Sequence, residues 1–422
     1  MDSEGDPRET GREPDTQDSA GGTGHSGDPA VVERDVVVVV LDTARYGLFA
    51  EGSMPLLSER ALLGETVVNM TNTAGWTRPA TVSLMSGLRW EERYLAGGDE
   101  ALDESTVTTL AESLQSHGWH TYLNSANPAL GDWLSQGFEE QVFSDKGEES
   151  APQRFDAVLE QLSTHEEPVL AWLQLMELHV PFGPMADSCA AEVQAAAALC
   201  PEELFDIGAE VTYAFIDFTV MSDEERAACG AAIHVGQSCA ATQLDAELDA
   251  FLSALPADAL VAVTTDHGEG WLDPKTDHNW TLNQKISRGF LALFDAQGVP
   301  GEYALASQVD LAPTLLDRLG VSPPEGQFEG VPLGEPATGL VKAWRCAPQS
   351  LTVETAIWEG DSLGIKIRRP GGKVSYELYD TLLDPNSDTD LAASVTMSTT
   401  LAAALEEQFA STEALCVEGS DW

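Results

Sequence analysis

Apolar residues occur in this chain as short runs, each followed by a polar loop and a helical pattern. The first run, VVVVVL at Val36–Leu41, is apolar at every position and gives way to Asp42. A strand without alternation is typical of the centre of a parallel sheet, where both faces are covered. Similar runs recur in PVLAWLQLMELH, ALVAVTTDH and GFLALFD. Strands alternating with helices predict a doubly wound, mostly parallel α/β sheet flanked by helices.

Between these runs, several stretches have the spacing of helices. TVTTLAESLQSHGWHTYLNS predicts a helix with Leu110 and Leu114 on one face, a stop at Gly118 and then a strand. ATQLDAELDAFLSALP and DLAPTLLDRLG predict two further helices, the second opened by Asp310. Residues 351–382 alternate in short runs, which predicts a small antiparallel sheet, and TMSTTLAAALEEQFAS predicts a terminal helix.

Composition divides the chain into three parts, the second of which carries an insertion. Residues 1–34 are polar and rich in Gly, Asp and Glu, which predicts a disordered acidic linker. We expect a catalytic α/β domain over 35–345 and a C-terminal subdomain over 346–422. Residues 186–240, within the catalytic domain, carry four cysteines and alanine-rich runs, and we interpret them as an insertion that is either a lid over the site or a partner surface. The form we favour is a short disulfide-stapled hairpin that caps the crevice.

The charge balance excludes some partners. The chain has 70 acidic against 21 basic residues and a net charge of −49. Such a surface repels nucleic acid and anionic membranes. No apolar run is long enough to span a bilayer. The sequence therefore predicts no nucleic-acid partner and no transmembrane segment, and it leaves the oligomeric state open.

Six cysteines lie outside any CxxC spacing, which makes a zinc cluster unlikely and favours disulfides in an oxidising compartment. Sequence does not determine the connectivity; we predict that neighbours pair, as Cys189–Cys200, Cys229–Cys239 and Cys346–Cys416. An extracytoplasmic location is then expected, with an export or lipoprotein leader trimmed or missed, since none is visible. The alternative is an intracellular protein with free thiols.

Polar residues that could bind a metal or take part in catalysis follow three of the predicted strands. Asp42 follows the first, His179 another, and Asp266 and His267 a third. Ligands of doubly wound sheets bind beyond the carboxyl ends of the strands. The shared position is a stronger signal than any single motif, because Asp42 alone could be a loop cap and the DHG sequence alone a turn.

Asp42, Asp266, His267 and Thr77 supply four candidate ligands for a divalent cation. Thr77 stands at the mouth of a predicted helix in AGWTRPATVSLMSG, where it is either a nucleophile or an ordinary helix cap. Carboxylates alone suit Ca²⁺ or Mg²⁺, whereas an imidazole shifts the preference toward Mn²⁺ or Zn²⁺. A bound cation would lower the pKa of a threonine hydroxyl and neutralise an anionic ester.

Three further residues are candidates for contacting the transferred group. His179 and His278 could donate to its oxygens or protonate the leaving group, although either could be structural. Arg45 could pair with the substrate or with Asp42. Glu177 is a weaker candidate, which we expect to be solvated.

With these residues in hand, the chain resembles the sulfatase family, within the alkaline phosphatase superfamily, over about residues 35–395. The motifs that carry the resemblance are VVVVVLDTAR, GWTRPATVSLMSG, TLAESLQSHGWHTYLNSANP, LQLMELHVPFGP, VTTDHGEGW, VDLAPTLLDRLG and YELYDTLLDPNSDTDLA. The resemblance implies an alkaline phosphatase-like fold and an ester hydrolase. It also implies that Asp42, Thr77, Asp266 and His267 hold the metal, with Thr77 as nucleophile and with His179, His278 and, less securely, Arg45 on the transferred group.

Two departures from the family change the expected chemistry. Sulfatases place Cys or Ser at the nucleophile position and oxidise it to formylglycine, but here the residue is Thr77, and Thr81 occupies the arginine position. Asp42-Thr43 replaces a pair of aspartates, which favours Mn²⁺ or Zn²⁺ over Ca²⁺ or Mg²⁺. We therefore expect a small-molecule, glycan or lipid ester of phosphate or phosphonate, in preference to sulfate. The alternatives are a phosphoryl-group transferase and an inactive binding protein with the same fold.

Overall fold

The fold is built on a nine-stranded sheet in which β1 (Val36–Leu41) lies between β5 (Val169–Leu175) and β8 (Leu260–Thr265). The coordinates are a computed structural model, and every statement below concerns the residues it describes. These are 30–50, 52–89, 107–180, 182–183, 187–198, 205–207, 211–213, 222–270, 281–322, 327–335, 340–347, 352–384 and 387–418. The predicted linker therefore lies almost wholly outside them.

All strands of this sheet but one run in the same direction. The others are β2 (Glu65–Thr71), β3 (His120–Ser125), β4 (Glu140–Phe143), β9 (Arg288–Phe294), β10 (Gly301–Tyr303) and β11 (Ala306–Ser307). The order is β10–β2–β9–β8–β1–β5–β3–β4, with β11 beside β2. β9 is antiparallel to both of its neighbours. The predicted doubly wound, mostly parallel sheet is thus confirmed, with β9 as the exception.

Helices cover both faces of the sheet. They are α1 (Tyr46–Ala50), α2 (Pro55–Ala61), α3 (Thr77–Ser86), α4 (Leu110–Gln115), α5 (Gly131–Leu134), α6 (Ala151–Thr164), α7 (Asp187–Ala197), α8 (Asp223–Ala254), α9 (Gln284–Ser287), α10 (Leu311–Leu319) and α11 (Thr399–Glu418). Short 3₁₀ turns occupy Pro128–Leu130 and Gln308–Asp310. Within the described ranges, no helix has the length and apolarity needed to cross a membrane.

The packing of β1 on both faces of the sheet explains why its sequence is apolar throughout. Val37, Val39 and Leu41 pack into the core on one face of the sheet, which includes residues of α6 and α8. The alternate valines pack into the core on the other face, with residues of α3, α4 and α10. Every residue of β1 is 0% exposed. Burying a valine or leucine stabilises the fold by about 1.5–3 kcal/mol, so this strand is a strong anchor for the loop that follows it.

The cysteine-rich segment differs from the prediction. It contains α7, two short antiparallel strands, β6 (Phe205–Ile207) and β7 (Val211–Tyr213), and the first half of α8. The helix expected over ATQLDAELDAFLSALP begins well upstream of that stretch, at Asp223, after a capping box formed by Ser222 and Glu225. The alanine-rich run that precedes the predicted start favours helix, which explains the extension.

The predicted pairing of neighbouring cysteines is wrong for this segment. Cys189 of α7 is bonded to Cys239 of α8, with their Cα atoms 5.7 Å apart. Cys189–Cys200 and Cys229–Cys239 are therefore excluded, although Cys229 is itself disulfide-bonded. α7 packs against α8, so the bond joins residues 50 apart in sequence. The side chains of Cys200, Cys346 and Cys416 lie outside the described part of the chain, so the third predicted pair stays a prediction.

A four-stranded antiparallel sheet and a terminal helix follow, as predicted. The strands are β12 (Leu340–Ala347), β13 (Thr352–Glu359), β14 (Ser362–Arg368) and β15 (Val374–Asp380). The sheet begins at Leu340, ahead of the expected boundary at 346. α11 covers one face, where Leu401 and Leu405 pack against Ile357 and Leu378.

Buried ion pairs close the amino-terminal edge of the large sheet. Arg34 donates to Asp295 Oδ1 at 2.6 Å, and both side chains are 2% exposed. Arg318 contacts both carboxylate oxygens of Glu65, at 2.8 and 2.9 Å. These contacts tie the residues before β1 and after β9 to the start of β2 and the end of α10. They lie at the edge opposite to the site described next.

Candidate active site

Strand register brings the two predicted aspartates together. β1 and β8 are parallel neighbours, and Leu41 is the partner of Thr265. The next residues, Asp42 and Asp266, therefore emerge side by side at the carboxyl edge of the sheet. One donor atom from each of Asp42, Asp266 and His267 lies within 4.8 Å of the other two, and all three residues are 0% exposed.

α3 brings the fourth predicted residue to this group. Trp76 is extended and Thr77 is the first residue of the helix, which ends at Gly87 in the left-handed conformation with φ 66°. Thr77 Oγ1 lies 3.2 Å from His267 Nε2 and 3.4 Å from Asp42 Oδ2. The helix N-terminus also favours negative charge at that oxygen. The structure thus brings Asp42, Thr77, Asp266 and His267 together.

The ring of His267 is oriented by its own backbone. Nδ1 lies 2.9 Å from the carbonyl oxygen of Gly268, which can only accept a hydrogen bond. Nδ1 therefore carries the proton, and Nε2 presents its lone pair toward the two carboxylates. This is the orientation that metal-binding histidines require, with the second ring nitrogen held by a backbone carbonyl.

The donor set fits a divalent cation. Two fully buried carboxylates lie next to each other, and their mutual repulsion in a water-poor site is costly without positive charge between them. Gln174 Nε2 donates to Asp42 Oδ2 and Asp266 Oδ2, both at 3.4 Å, and Thr43 N donates to Asp266 Oδ1 at 3.2 Å. These neutral donors orient the two carboxylates. Two carboxylates with an imidazole are a donor set that binds divalent cations.

Thr43 holds a backbone conformation that is rare for a β-branched residue, with φ 59°. Three contacts maintain it. Its amide reaches Asp266, its hydroxyl donates to the carbonyl of Leu178 at 2.7 Å, and its carbonyl accepts from Gln237 Nε2 at 3.1 Å. Gln237 also donates to the carbonyl of Leu178, at 3.0 Å. The loops after β1 and β5 are therefore joined to α8 beside the candidate metal ligands.

The loop after β8 is held just as closely. Gln308 Nε2 donates to the carbonyl of Thr265 at 3.1 Å and to that of Asp266. Its Oε1 accepts from Thr73 N at 2.8 Å, which connects this loop to the segment before α3. Gly268 has no room for a side chain, because a Cβ there would collide with the carbonyl of Lys285 and lie 3.1 Å from Arg45 Cβ. Arg45 is thus buried against the loop that carries Asp266 and His267.

His179 lies in the loop after β5, as predicted, and is partly exposed. Its Nδ1 is 2.6 Å from the carbonyl oxygen of Val180, so Nδ1 is the protonated nitrogen. Lys146 donates to its carbonyl oxygen. The loop that carries His179 follows β5, the parallel neighbour of β1, so it lies at the carboxyl edge of the sheet. His278 lies outside the described residues.

Glu177 corrects one expectation, since it is buried and not solvated. Burial raises the pKa of its carboxyl above the ordinary value, while Lys146 and Arg154 act in the opposite direction. Arg154, on α6, is itself fully buried and donates to Asn124 and, at 2.6 Å, to Ser144 Oγ. This cluster packs behind the loop that carries His179.

Sequence reasoning missed the glutamines that position the site. Gln174 had a detectable signal, because it is the polar residue inside the otherwise apolar strand VLAWLQL. Gln237 stands among buried positions of α8, a weaker signal of the same kind. Gln308 lies in a short 3₁₀ turn, where nothing in the local pattern marks it.

Comparisons with known proteins agree with this fold. A sequence model described as Sulfatase matches residues 34–321. A search of curated protein sequences gives no match. Among solved structures, one in complex with its substrate D-glucosamine-2-N,6-O-disulfate has a TM-score of 0.65 at 14% identity, covering 91% of this chain and 99% of that one.

Two further structures extend the comparison beyond sulfate esters. The phosphonate monoester hydrolase of Agrobacterium radiobacter has a TM-score of 0.63 at 16% identity, covering 92% of this chain and 96% of its own. A protein in the alkaline phosphatase superfamily from Vibrio parahaemolyticus has a TM-score of 0.58 at 16% identity, covering 92% and 86%. At these identities the likeness shows a shared fold.

Proposed function

This chain belongs to the sulfatase family of ester hydrolases, and from that premise we propose that it hydrolyses a phosphate or phosphonate ester with Thr77 as its nucleophile. The observation that carries the proposal is the position of Thr77 Oγ1, 3.2 Å from His267 Nε2 and 3.4 Å from Asp42 Oδ2, at the start of α3. A hydroxyl so close to a buried donor set is placed for activation.

Asp42, Asp266, His267 and Thr77 would hold a divalent cation, with Mn²⁺ or Zn²⁺ favoured. When bound, it supplies positive charge that lowers the pKa of a hydroxyl and neutralises an anionic ester. The remaining tasks belong to the chain. Gln174 and Thr43 orient the carboxylates, the Gly268 carbonyl orients His267, and the N-terminus of α3 favours the ionised oxygen of Thr77.

In the proposed reaction, the Thr77 hydroxyl loses its proton to solvent and its oxygen attacks the phosphorus atom. A phosphorus–oxygen bond to the alcohol breaks, and the departing alkoxide takes a proton from His179 or His278. Water then attacks the phosphorus of the threonine ester and gives a proton back to that histidine, while the bond to Thr77 Oγ1 breaks. This releases phosphate or phosphonate, and Thr77 Oγ1 takes up a proton from solvent, which restores the hydroxyl. Arg45, in the loop after β1, would support the site by packing against the loop that contains Gly268.

The identity of residue 77 favours phosphorus over sulfur. A family member that uses formylglycine expels sulfate when the hydrate collapses to an aldehyde. Threonine carries a methyl group on Cβ and cannot become that aldehyde, so its ester must be cleaved by water. The likeness to a phosphonate monoester hydrolase supports this preference, while the likeness to a structure holding a disulfated glucosamine keeps sulfate in the assay.

The test is a substrate panel: aryl phosphate monoesters and diesters, an aryl phosphonate ester and an aryl sulfate, each with Mn²⁺, Zn²⁺ and Ca²⁺. We expect turnover of a phosphorus ester with Mn²⁺ or Zn²⁺. Turnover of the sulfate alone would contradict the proposal. Product analysis with an added acceptor alcohol separates hydrolysis from transfer, and absence of bound metal with no rescue by added metal would indicate an inactive binding protein.

Removing the Thr77 hydroxyl should lower kcat by at least about 100-fold, since loss of a covalent nucleophile typically costs more than that. Thr77→Val keeps the shape of the side chain. The matched control is Thr81→Val, one turn further along the same helix and fully buried, which should stay within about threefold of the parent. Equal kcat values for the two variants would refute the assignment of Thr77.

We also propose that the protein works outside the cytoplasm, on a small-molecule, glycan or lipid ester. The support is the Cys189–Cys239 bond, because disulfides persist in oxidising compartments. Counting thiols in the denatured, unreduced protein tests this: few or none are expected, and six would contradict the proposal.

A further inference from the structure

A second group of histidine and carboxylate side chains lies at the opposite edge of the large sheet. His120 is the first residue of β3, Glu140 the first of β4, and His165 directly follows α6. One donor atom from each lies within 4.8 Å of the other two. The start of each parallel strand is at the amino-terminal edge, so this group is separated from Asp42 and Asp266 by the length of the strands. Nothing in the proposed hydrolysis uses it.

The two imidazole rings are stacked, with centroids 3.7 Å apart and planes inclined by 11°. Three carboxylates surround them. Glu139 Oε2 is 3.2 Å from His120 Nδ1, Glu140 Oε1 is 3.9 Å from His120 Nε2, and Glu167 Oε1 is 3.2 Å from His165 Nδ1. The group therefore combines two imidazole rings with three carboxylates, on a chain whose net charge is −49.

His120 Nε2 is the observation that points to a ligand. The side chain of His120 is 8% exposed, and this nitrogen has no hydrogen-bond partner among the described residues. With Nδ1 protonated toward Glu139, Nε2 presents a lone pair to Glu140, which also offers only lone pairs. Glu140 is half exposed, whereas His120 Nε2 is buried, and two acceptors that face each other need a proton or a cation between them.

Gln161 fixes the position of Glu140. Its Nε2 donates to Glu140 Oε2 at 3.0 Å, and its Oε1 lies 3.1 Å from His165 Nε2. The amide is thus assigned by its partners, and one carboxylate oxygen of Glu140 is held while the other faces His120. This support of a ligating carboxylate by a neighbouring amide is typical of metal sites.

We propose that His120, His165 and Glu140 form a second cation site, separate from the candidate active site, for a divalent transition metal such as Zn²⁺, Cu²⁺ or Ni²⁺. Imidazole nitrogen with a carboxylate favours these ions over Ca²⁺ and Mg²⁺. Because ring lone pairs lie in the ring plane, binding requires the His165 ring to turn out of the stack. Its side chain is 24% exposed and directly follows α6, and turning it breaks its contacts with Glu167 and Gln161.

The experiment counts cations on the full-length protein and does not depend on activity. Metal-free protein is titrated with Zn²⁺ by calorimetry, and Cu²⁺ binding is followed by electron paramagnetic resonance, which detects imidazole nitrogen. The parent should bind two Zn²⁺ ions. His165→Ala should bind one, or bind the second at least about tenfold more weakly. Glu140→Gln, on an exposed side chain, should weaken the second ion similarly.

The matched control is His117→Ala, a neighbouring histidine whose ring contacts Ser113 and Ser116 and lies outside the group. It should bind both ions as the parent does. Equal binding by the parent and His165→Ala would overturn the proposal, as would a single ion in the parent that Asp266→Ala abolishes, since a proton would then occupy the space between His120 and Glu140. Asp266→Ala, which removes a ligand of the candidate active site, should keep the second ion. Failure of the hydrolase proposal and failure of this one are therefore distinguishable.

Discussion

The two edges of the large sheet carry similar side chains in different surroundings. At the carboxyl edge, Asp42, Asp266 and His267 are fully buried and face a hydroxyl delivered by α3. At the amino-terminal edge, His120 is buried but His165 and Glu140 reach solvent. The comparison teaches that similar candidate metal ligands can have very different surroundings. The carboxyl edge adds burial, the proposed nucleophile at a helix N-terminus, and glutamines that hydrogen-bond to the candidate ligands or to the loops that carry them.

The largest difference between the edges should appear when a ligand is removed at the carboxyl edge. Asp266→Ala should lower activity by about a thousandfold, because the cation contributes about 4 kcal/mol to the transition state. Binding of one cation should be lost while the other is kept. The control Asp258→Ala changes an exposed aspartate at the other end of β8 and should alter neither property. Loss of both cations in Asp266→Ala would show that the two edges are coupled.

A change at the amino-terminal edge should affect stability and not catalysis. Asp295→Asn breaks a buried ion pair with Arg34, which should lower the free energy of unfolding by about 3 kcal/mol at neutral pH. Burial alone would raise the pKa of Asp295, but the hydrogen bond and charge of Arg34 hold it below its ordinary value of 3.8. The ionised carboxylate of Asp295 therefore contributes its full stabilisation at pH values above 3.8, the ordinary pKa. This contribution is lost as the pH falls through the lowered pKa of the folded protein.

Urea unfolding of the parent and Asp295→Asn across pH 3 to 7 measures this prediction. The difference between the two proteins should be largest near neutrality and should shrink as the acid range is reached. Asp317→Asn, an exposed aspartate on α10, is the control and should match the parent throughout. A kcat of Asp295→Asn that falls with its stability, under conditions where the variant is folded, would contradict the division of roles.

The smallest effect should come from changing a residue that hydrogen-bonds to the candidate metal ligands. Gln174→Met keeps the length of the side chain and removes the amide that donates to both carboxylates. Metal affinity at the carboxyl edge should fall about 10- to 100-fold, the usual cost of losing an outer partner of a metal ligand. Gln141→Met, on the exposed strand β4, should leave the affinity unchanged. Unchanged affinity in Gln174→Met would show that its hydrogen bonds do not orient the carboxylates.

Features set by local pattern were predictable. The continuous run in β1 required burial on both faces, and the polar residues directly after β1 and β8 were expected at one edge because parallel strands end there. That β1 and β8 are neighbours emerged only from the structure. Thr77 was placed at a helix start by the residues around it, and α3 begins there.

Features that depend on packing between distant segments were not predictable. The bond from Cys189 to Cys239 requires α7 to lie along α8, which no spacing in the sequence reveals. Glu177 is buried because the cluster around Arg154 packs over it. Gln308 reaches the site from a turn that follows two short strands, and its role exists only once β11 pairs with β2.

The unusual backbone of Thr43 has a consequence for protein engineering. A left-handed conformation at a β-branched residue costs about 1–2 kcal/mol, so a screen that rewards heat resistance alone would favour glycine or asparagine there. Such a change would remove the hydroxyl that links the loops after β1 and β5. Variants selected in this way would gain in melting temperature but lose the hydrogen bond that joins the loops after β1 and β5. A screen for a heat-resistant enzyme should therefore measure turnover together with melting temperature.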